Sequence, residues 1–275
     1  MGVGVVNVWS QISTALEQCT ITEYGFASFA DVLPLLECRA KARIPQRAKS
    51  VIVCLFPYHV AEPRRRNISR YAMVEDYHIV AGNMLKAACE RLKSAFPENE
   101  FVFFTDNSPI REVSSAVRAG LGVLGKNGLL IHPKYGSFVF IGEIVTDLTV
   151  PGAKANGACI GCGRCAAACP AGAIGPEGID RERCLSHITQ KKGTLTPEEE
   201  TLVRKGNSLW GCDICQEVCP YNHGIPETEI AAFQENIIPY VDYHEIGELV
   251  KTRAFGFRGS GVIRRNYEIL YGKQG

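Results

Sequence analysis

Seven cysteines in this chain fall into two runs. The first reads Cys159-Ile-Gly-Cys162-Gly-Arg-Cys165-Ala-Ala-Ala-Cys169-Pro170, and the second Cys212-Asp-Ile-Cys215-Gln-Glu-Val-Cys219-Pro220. The first spacing, C-x2-C-x2-C-x3-C-P, is the one by which bacterial ferredoxins hold iron–sulfur clusters, the fourth thiolate of a run going to the other cluster. The second run keeps the ending and lacks the first cysteine, since Leu209 stands in its place. Counting supplies the missing ligand. One cluster takes Cys159, Cys162, Cys165 and, by exchange, Cys219. The other takes Cys212, Cys215 and Cys169, and Cys184 is the only further cysteine in this half of the chain. Two [4Fe–4S] clusters are therefore expected. A zinc ribbon and a disulfide framework also use paired cysteines. The four-cysteine run ending in Cys-Pro, present twice in variant form, favours clusters.

A second candidate centre lies upstream. Asp106 sits in Phe104-Thr-Asp106-Asn-Ser-Pro109, between a strand-like and a helix-like stretch. An aspartate there serves as a turn or cap residue or as an acid. Asp76, His78 and Glu112 read as ordinary surface polar residues. The segment from Gly120 to Gly128 contains Gly120-x-Gly122-x-x-Gly125 and the opening of a P-loop up to Lys126. Both motifs need a strand before and a helix after. Here a helical stretch precedes and a strand-like one follows, so neither applies. What remains is a backbone loop that a large group can approach closely.

These residues need elements to hold them. Residues 6–18 have helical spacing, and 50–56 form a continuous apolar run that reads as a buried strand. Residues 70–96 read as one long helix, 101–104 as a second strand, and Pro109 as the start of a helix capped by Ser108. Residues 129–131 and 137–147 read as further strands. The expected fold class is α/β (α+β). An N-terminal α/β domain spans 1–150, a ferredoxin-like two-cluster domain 151–225, and a helical extension 226–275. Pro151 to Gly157 reads as a linker.

Composition bounds the rest. The chain has 275 residues, a formal net charge of +1 and 46% hydrophobic residues. That is enough for a sizeable core and demands no polyanion partner. Arg64-Arg65-Arg66, Lys191-Lys192 and Arg264-Arg265 read as solvated patches. No signal peptide or membrane span is visible, and twelve cysteines, eight of them assigned to clusters, imply a reducing cytoplasm. Cys19, Cys38, Cys54 and Cys89 lie outside the motifs and are expected to be buried.

Taken in order, the motifs resemble the epoxyqueuosine reductase family. They are Ser69-Arg-Tyr-Ala72 with Asp76-Tyr-His78, Asp106 to Glu112, Ala119 to Asn127, Gly136 to Glu143, Arg183-Cys184-Leu-Ser186 and Gly211 to Gln216, with a weaker echo at Phe257 to Ser260. The resemblance implies cobalamin in the N-terminal domain beside two clusters, with the position of Cys184 as a cluster ligand. The positions matching the cobalamin pocket are Gly125, Lys126, Asn127, Leu130, Ile141, Ile179 and Ser186, with Arg39 and Arg43 as candidate basic contacts. The family's proton donor falls on Asp106, which would need a raised pKa to carry a proton at neutral pH. The implied activity is reductive removal of the epoxide oxygen of epoxyqueuosine in tRNA, fed by an external electron donor. A corrinoid-reducing electron carrier and a reductase of another small substrate are the alternatives with the same cofactors. Typical members continue past the position of Ile269 into helical repeats that help grip tRNA, and this sequence ends at Gly275.

Overall fold

The computed structural model describes residues 7–61, 63–152 and 157–273. Helix α1 (Val8–Glu17) leads into β1 (Glu23–Ser28) and β2 (Ser50–Pro57), followed by a single turn α2 (Arg70–Met73) and the long α3 (Tyr77–Ala95). Then come β3 (Phe101–Thr105), α4 (Glu112–Arg118), the hairpin β4 (Val123–Leu124) and β5 (Leu130–Ile131), and β6 (Val139–Thr146). Four of these strands form one sheet in the order β1-β2-β6-β3, with every pairing antiparallel.

All eight residues of β2 are buried, because helices cover both faces of the sheet. Ile52, Cys54, Phe56, Phe140 and Ile144 face a core shared with α1 and α3. Val51, Val53, Leu55, Phe104 and Val145 face the core under α4. This two-sided burial is why the run reads as continuously apolar and not alternating. Each large side chain so buried contributes about 1.5–3 kcal/mol.

The second half is built of short elements: α5 (Arg164–Ala168), β7 (Ile174–Gly175), β8 (Gly178–Ile179), α6 (Leu185–Gln190), α7 (Pro197–Gly206) and α8 (Ile214–Glu217). Thr196 and Glu199 close a capping box at the start of α7, which satisfies amides left open at a helix N-terminus. The chain ends in α9 (Ala231–Gln234), α10 (Ile246–Leu249) and α11 (Ser260–Tyr271). This last stretch returns to the first. Ile230, Phe233, Val241, Ile246, Phe255 and Ile263 join the α1/α3 core, as do Leu209 and Trp210.

Polar ties reinforce that return. Asn67 Nδ2 donates to the Val241 carbonyl at 3.0 Å, the Asp76 N–H donates to the Thr252 carbonyl at 3.0 Å, and Asn266 Nδ2 donates to the carbonyls of Thr189 and Leu209 at 2.7 Å.

Several expectations change. The long helix is broken at Val74-Glu75-Asp76, because Val74 is extended and Asp76 caps a new start by accepting from the His78 N–H. The helix after Pro109 begins only at Glu112, and the Ser108 hydroxyl accepts from the Ile110 N–H in a turn instead of capping a helix. Strand β1 carries little alternation and was not legible. Of the four cysteines expected inside, only Cys54 is buried, and Cys19, Cys38 and Cys89 are half-buried. Residues 153–156 of the expected linker lie outside the described residues. Among the described residues no helix is long and apolar enough to cross a membrane.

Candidate functional site

Strand β3 ends at Thr105, opposite Gly142 of β6, so Phe140 and Ile141 run on past it. Asp106 and Asn107 turn away with φ of +52° and +44°, a left-handed conformation that Asp and Asn tolerate better than most residues. The turn delivers the Asp106 carboxylate to the start of α3. The Tyr77 hydroxyl donates to Asp106 Oδ2 at 3.0 Å, and His78 Nε2 lies 3.2 Å from the same oxygen. On its other side His78 Nδ1 is 2.7 Å from Asp76 Oδ1. The Tyr77 ring lies between two others, stacked on Phe140 at 4.2 Å and on His78 at 4.1 Å. Aromatic packing and two carboxylates thus fix the imidazole.

The electrostatics reverse one expectation. The hydrogen bond from His78, with further bonds from the Asn107 N–H and Tyr77, outweighs burial and holds the Asp106 carboxyl down at about 2. Burial alone would lower His78, but its bonds to Asp106 and Asp76 lift the imidazole to about 9. At neutral pH the proton of this pair rests on His78 and not on Asp106. Two other acids are pushed upward. Burial, then the charges of Glu143 and Asp106, push Glu112 up to about 8. Burial pushes Glu143 up to about 7, against the donated bonds of Ser108 and Ser115. Sequence reasoning passed over this group. The available signals were Asp76-Tyr-His78 as a unit, and Glu143 as an acid inside the otherwise apolar β6.

The motif cysteines lie in two neighbourhoods. Burial raises the Cys219 thiol, and Cys159, Cys162 and Cys165 raise it further, which places it beside the first run. Cys212, pushed up to about 11 by burial, has Cys184 and Cys169 as neighbours, and Cys215, pushed up to about 12, has Cys212 and Cys184. Among the described residues no three of these or other Cys, His, Asp or Glu side chains could hold a single metal ion. Buried thiols of this kind fit a group carrying its own positive iron, since a metal ion inverts the local logic. The Cys169 sulfur also accepts from the Ala173 N–H at 3.3 Å.

The cluster half docks through the Ser69-Arg-Tyr-Ala72 segment. Asp213, between Cys212 and Cys215, accepts from the Arg70 N–H at 2.7 Å and pairs with Arg66 at 2.8 Å. Trp210 Nε1 donates to the Tyr71 hydroxyl at 2.6 Å.

The glycine hairpin packs against the cluster half, where Lys126, Asn127 and Ile131 line a cleft with Cys159, Cys162, Cys165 and Cys219. Helix α4 precedes it and β4–β5 follow, as the inverted context required. Asn127 Nδ2 is 3.9 Å from the Cys215 sulfur. Gly125 is not open to a ligand as expected: a Cβ there would meet Asn127 Oδ1 at 2.4 Å and Ile131 Cδ1 at 2.9 Å, so the glycine serves the loop's own packing. A Cβ on Gly128 would meet Ile179 Cδ1 at 2.8 Å, which sets β8 against the hairpin.

Lys126 is exposed, and Ile141 and Ser186 are half-buried. Leu130 and Asn127 are buried. Leu124, Ile160 and Ile179, on and around the hairpin, are exposed. Such apolar surface, with Lys126 beside Ile160, fits a broad, flat, largely apolar ligand. Arg43, a candidate basic contact, is already engaged: it donates to the Phe103 carbonyl at 2.8 Å.

Known proteins place these features together. A family model described as a 4Fe-4S double cluster binding domain matches residues 158–222, and one described as epoxyqueuosine reductase QueG matches residues 39–107. The epoxyqueuosine reductase of Lactococcus garvieae is 36% identical over 74% of this chain and 61% of its own length. That of Leadbetterella byssophila is 36% identical over 81% of this chain and 75% of its own. This chain therefore spans less than two thirds of the first of these relatives. A crystal structure of epoxyqueuosine reductase with an epoxyqueuosine-modified tRNA stem loop superposes with a TM-score of 0.81 at 26% identity, covering 96% of this chain and 81% of that one.

Proposed function

This chain belongs to the epoxyqueuosine reductase family, and from that premise we propose that it removes the epoxide oxygen of epoxyqueuosine in tRNA. The reaction takes two electrons and two protons and releases water. The observation that carries the reading is the Asp106–His78 pair at the sheet end, in a chain whose glycine hairpin reaches the cluster half through Asn127 and Cys215.

Cys159, Cys162, Cys165 and Cys219 would hold one cluster, and Cys169, Cys184, Cys212 and Cys215 the other. They would take electrons singly from an external donor. Lys126, Ile141, Ile179 and Ser186, with the backbone around Asn127 and Leu130, would hold cobalamin. When bound and reduced, that cofactor supplies a strong nucleophile for an epoxide carbon. The chain's own residues supply the rest. The Asp106–His78 pair brings its proton to the oxygen released from the ring, and Asp106 is the group in contact with substrate. His78, held by Asp76, keeps that proton available near neutral pH. The stacked Tyr77 fixes the carboxylate and keeps water off one side.

The test is direct. Protein carrying both clusters and cobalamin, reduced and mixed with epoxyqueuosine-containing tRNA, should yield queuosine, seen as the loss of one oxygen by mass. Electron transfer to free corrinoid with no change in the tRNA would instead favour the electron-carrier reading.

A further inference from the structure

The proton on the Asp106–His78 pair is spent once per oxygen released, and the reaction read above consumes two. The pair therefore needs refilling at a point where substrate covers it. Glu112 is placed to do this. It stands at the first position of α4, next to the turn that carries Asp106. Its nearest charged neighbours are Glu143 on β6, Asp106 after β3, and His78 on α3. Tyr77, also on α3, feels its charge. Glu112 Oε1 is buried without a hydrogen-bond partner, which is costly unless the group has work to do. Glu112 also lines an open groove of about 530 Å³, together with Arg111, Arg118 and Leu124. Glu112 thus borders the groove while its carboxyl lies among the acid pair's surroundings.

We infer that Glu112 takes protons from this groove and passes them to the Asp106–His78 pair, making it the refilling group of the site. The inference rests on the function proposed above, and it goes further by naming the route of the second proton. The balance is simple. One proton leaves the pair for the released oxygen. The Glu112 O–H then breaks and its proton restores the pair, leaving a carboxylate that water in the groove protonates again. The second proton leaves the pair in the same way, and oxygen departs as water, with both electrons coming from the external one-electron donor. Glu112 touches no substrate and acts through the pair. Its elevation to about 8 by burial and by Glu143 suits a group that must be protonated at neutral pH and still be able to let go.

Two measurements test this. The first is infrared titration of the protein without substrate. The carboxylic acid signal at pH 7 should include a component that ionises near pH 8, is lost in Glu112→Gln and remains in Glu143→Gln. A Glu112 already ionised at pH 7 overturns the inference. The second is turnover against pH. Glu112→Gln should lose roughly tenfold or more, with partial rescue by a small buffer acid such as imidazole, which a merely structural defect would not show. Unchanged turnover with an unchanged pH profile also overturns it. If the wild-type protein itself yields no queuosine, the proposed reaction fails, and the infrared titration still decides whether Glu112 holds the proton.

Discussion

At Asp106 the backbone and the chemistry make separable demands. The residue has φ of +52°, which Asn accepts nearly as well as Asp. Asp106→Asn should therefore fold normally and keep its iron, while losing turnover by roughly a hundredfold or more, the usual range for an acid–base group. Near wild-type turnover would remove Asp106 from the mechanism. The same variant should release His78. Its imidazole, followed by NMR, should titrate near 9 in the wild-type protein and well below that once its main partner is gone. The sequence placed Asp106 correctly between strand and helix but misjudged its charge. A proton-donating aspartate alone would need burial to raise it. The structure gives it an imidazole partner from twenty-eight positions away, and no local pattern shows such a partner. Glu143 is the opposite case, since a lone acid in Val139–Thr146 was open to view and was absorbed into the strand reading.

Among the elements, the strands were legible wherever burial is two-sided, as in β2, or wherever aromatic and β-branched residues cluster, as in β3. The break before α3 was not. Val74 and Glu75 fit a helical spacing, and only the capping bonds of Asp76 show that a new helix begins there. That break is useful, because it puts Tyr77 and His78 on the first turn, facing Asp106. The hairpin β4–β5 teaches a related lesson. Its glycines were read as room for a ligand, whereas the space beside Gly125 is filled by Asn127 and Ile131. Gly125→Ala should therefore displace Asn127 and cost about 1–3 kcal/mol, the usual cost of overpacking. Thermal unfolding would show that loss in the cofactor-free protein, which separates it from any effect on ligand entry.

Across the whole molecule, two properties follow from how the parts share groups. The first is iron content. If Cys184 completes the second set, Cys184→Ala should lower iron from about eight per chain toward four, and an unchanged content would remove it from that set. The second is pH dependence. Glu112, Glu143 and His78 all have folded pKa values above their ordinary ones. Their contribution to stability is full at acid pH and is lost as pH rises through about 7 to 9. Asp106 runs the other way, and its contribution is lost only as pH falls toward about 2. The melting temperature should therefore decline on the alkaline side, and Glu112→Gln should flatten that decline. The double-cluster region was legible because the cysteine spacing is local, whereas the closure of the chain on itself was not. The Asp76 N–H ends on the Thr252 carbonyl, and Asn67 on Val241. A ribosome therefore finishes the sheet long before it delivers the residues that tie down the start of α3. A nascent chain arrested before Val241 should have its sheet and still lack a settled acid pair, so hydrogen exchange on such stalled chains should find β2 and β6 protected and the amides around Asp76 open.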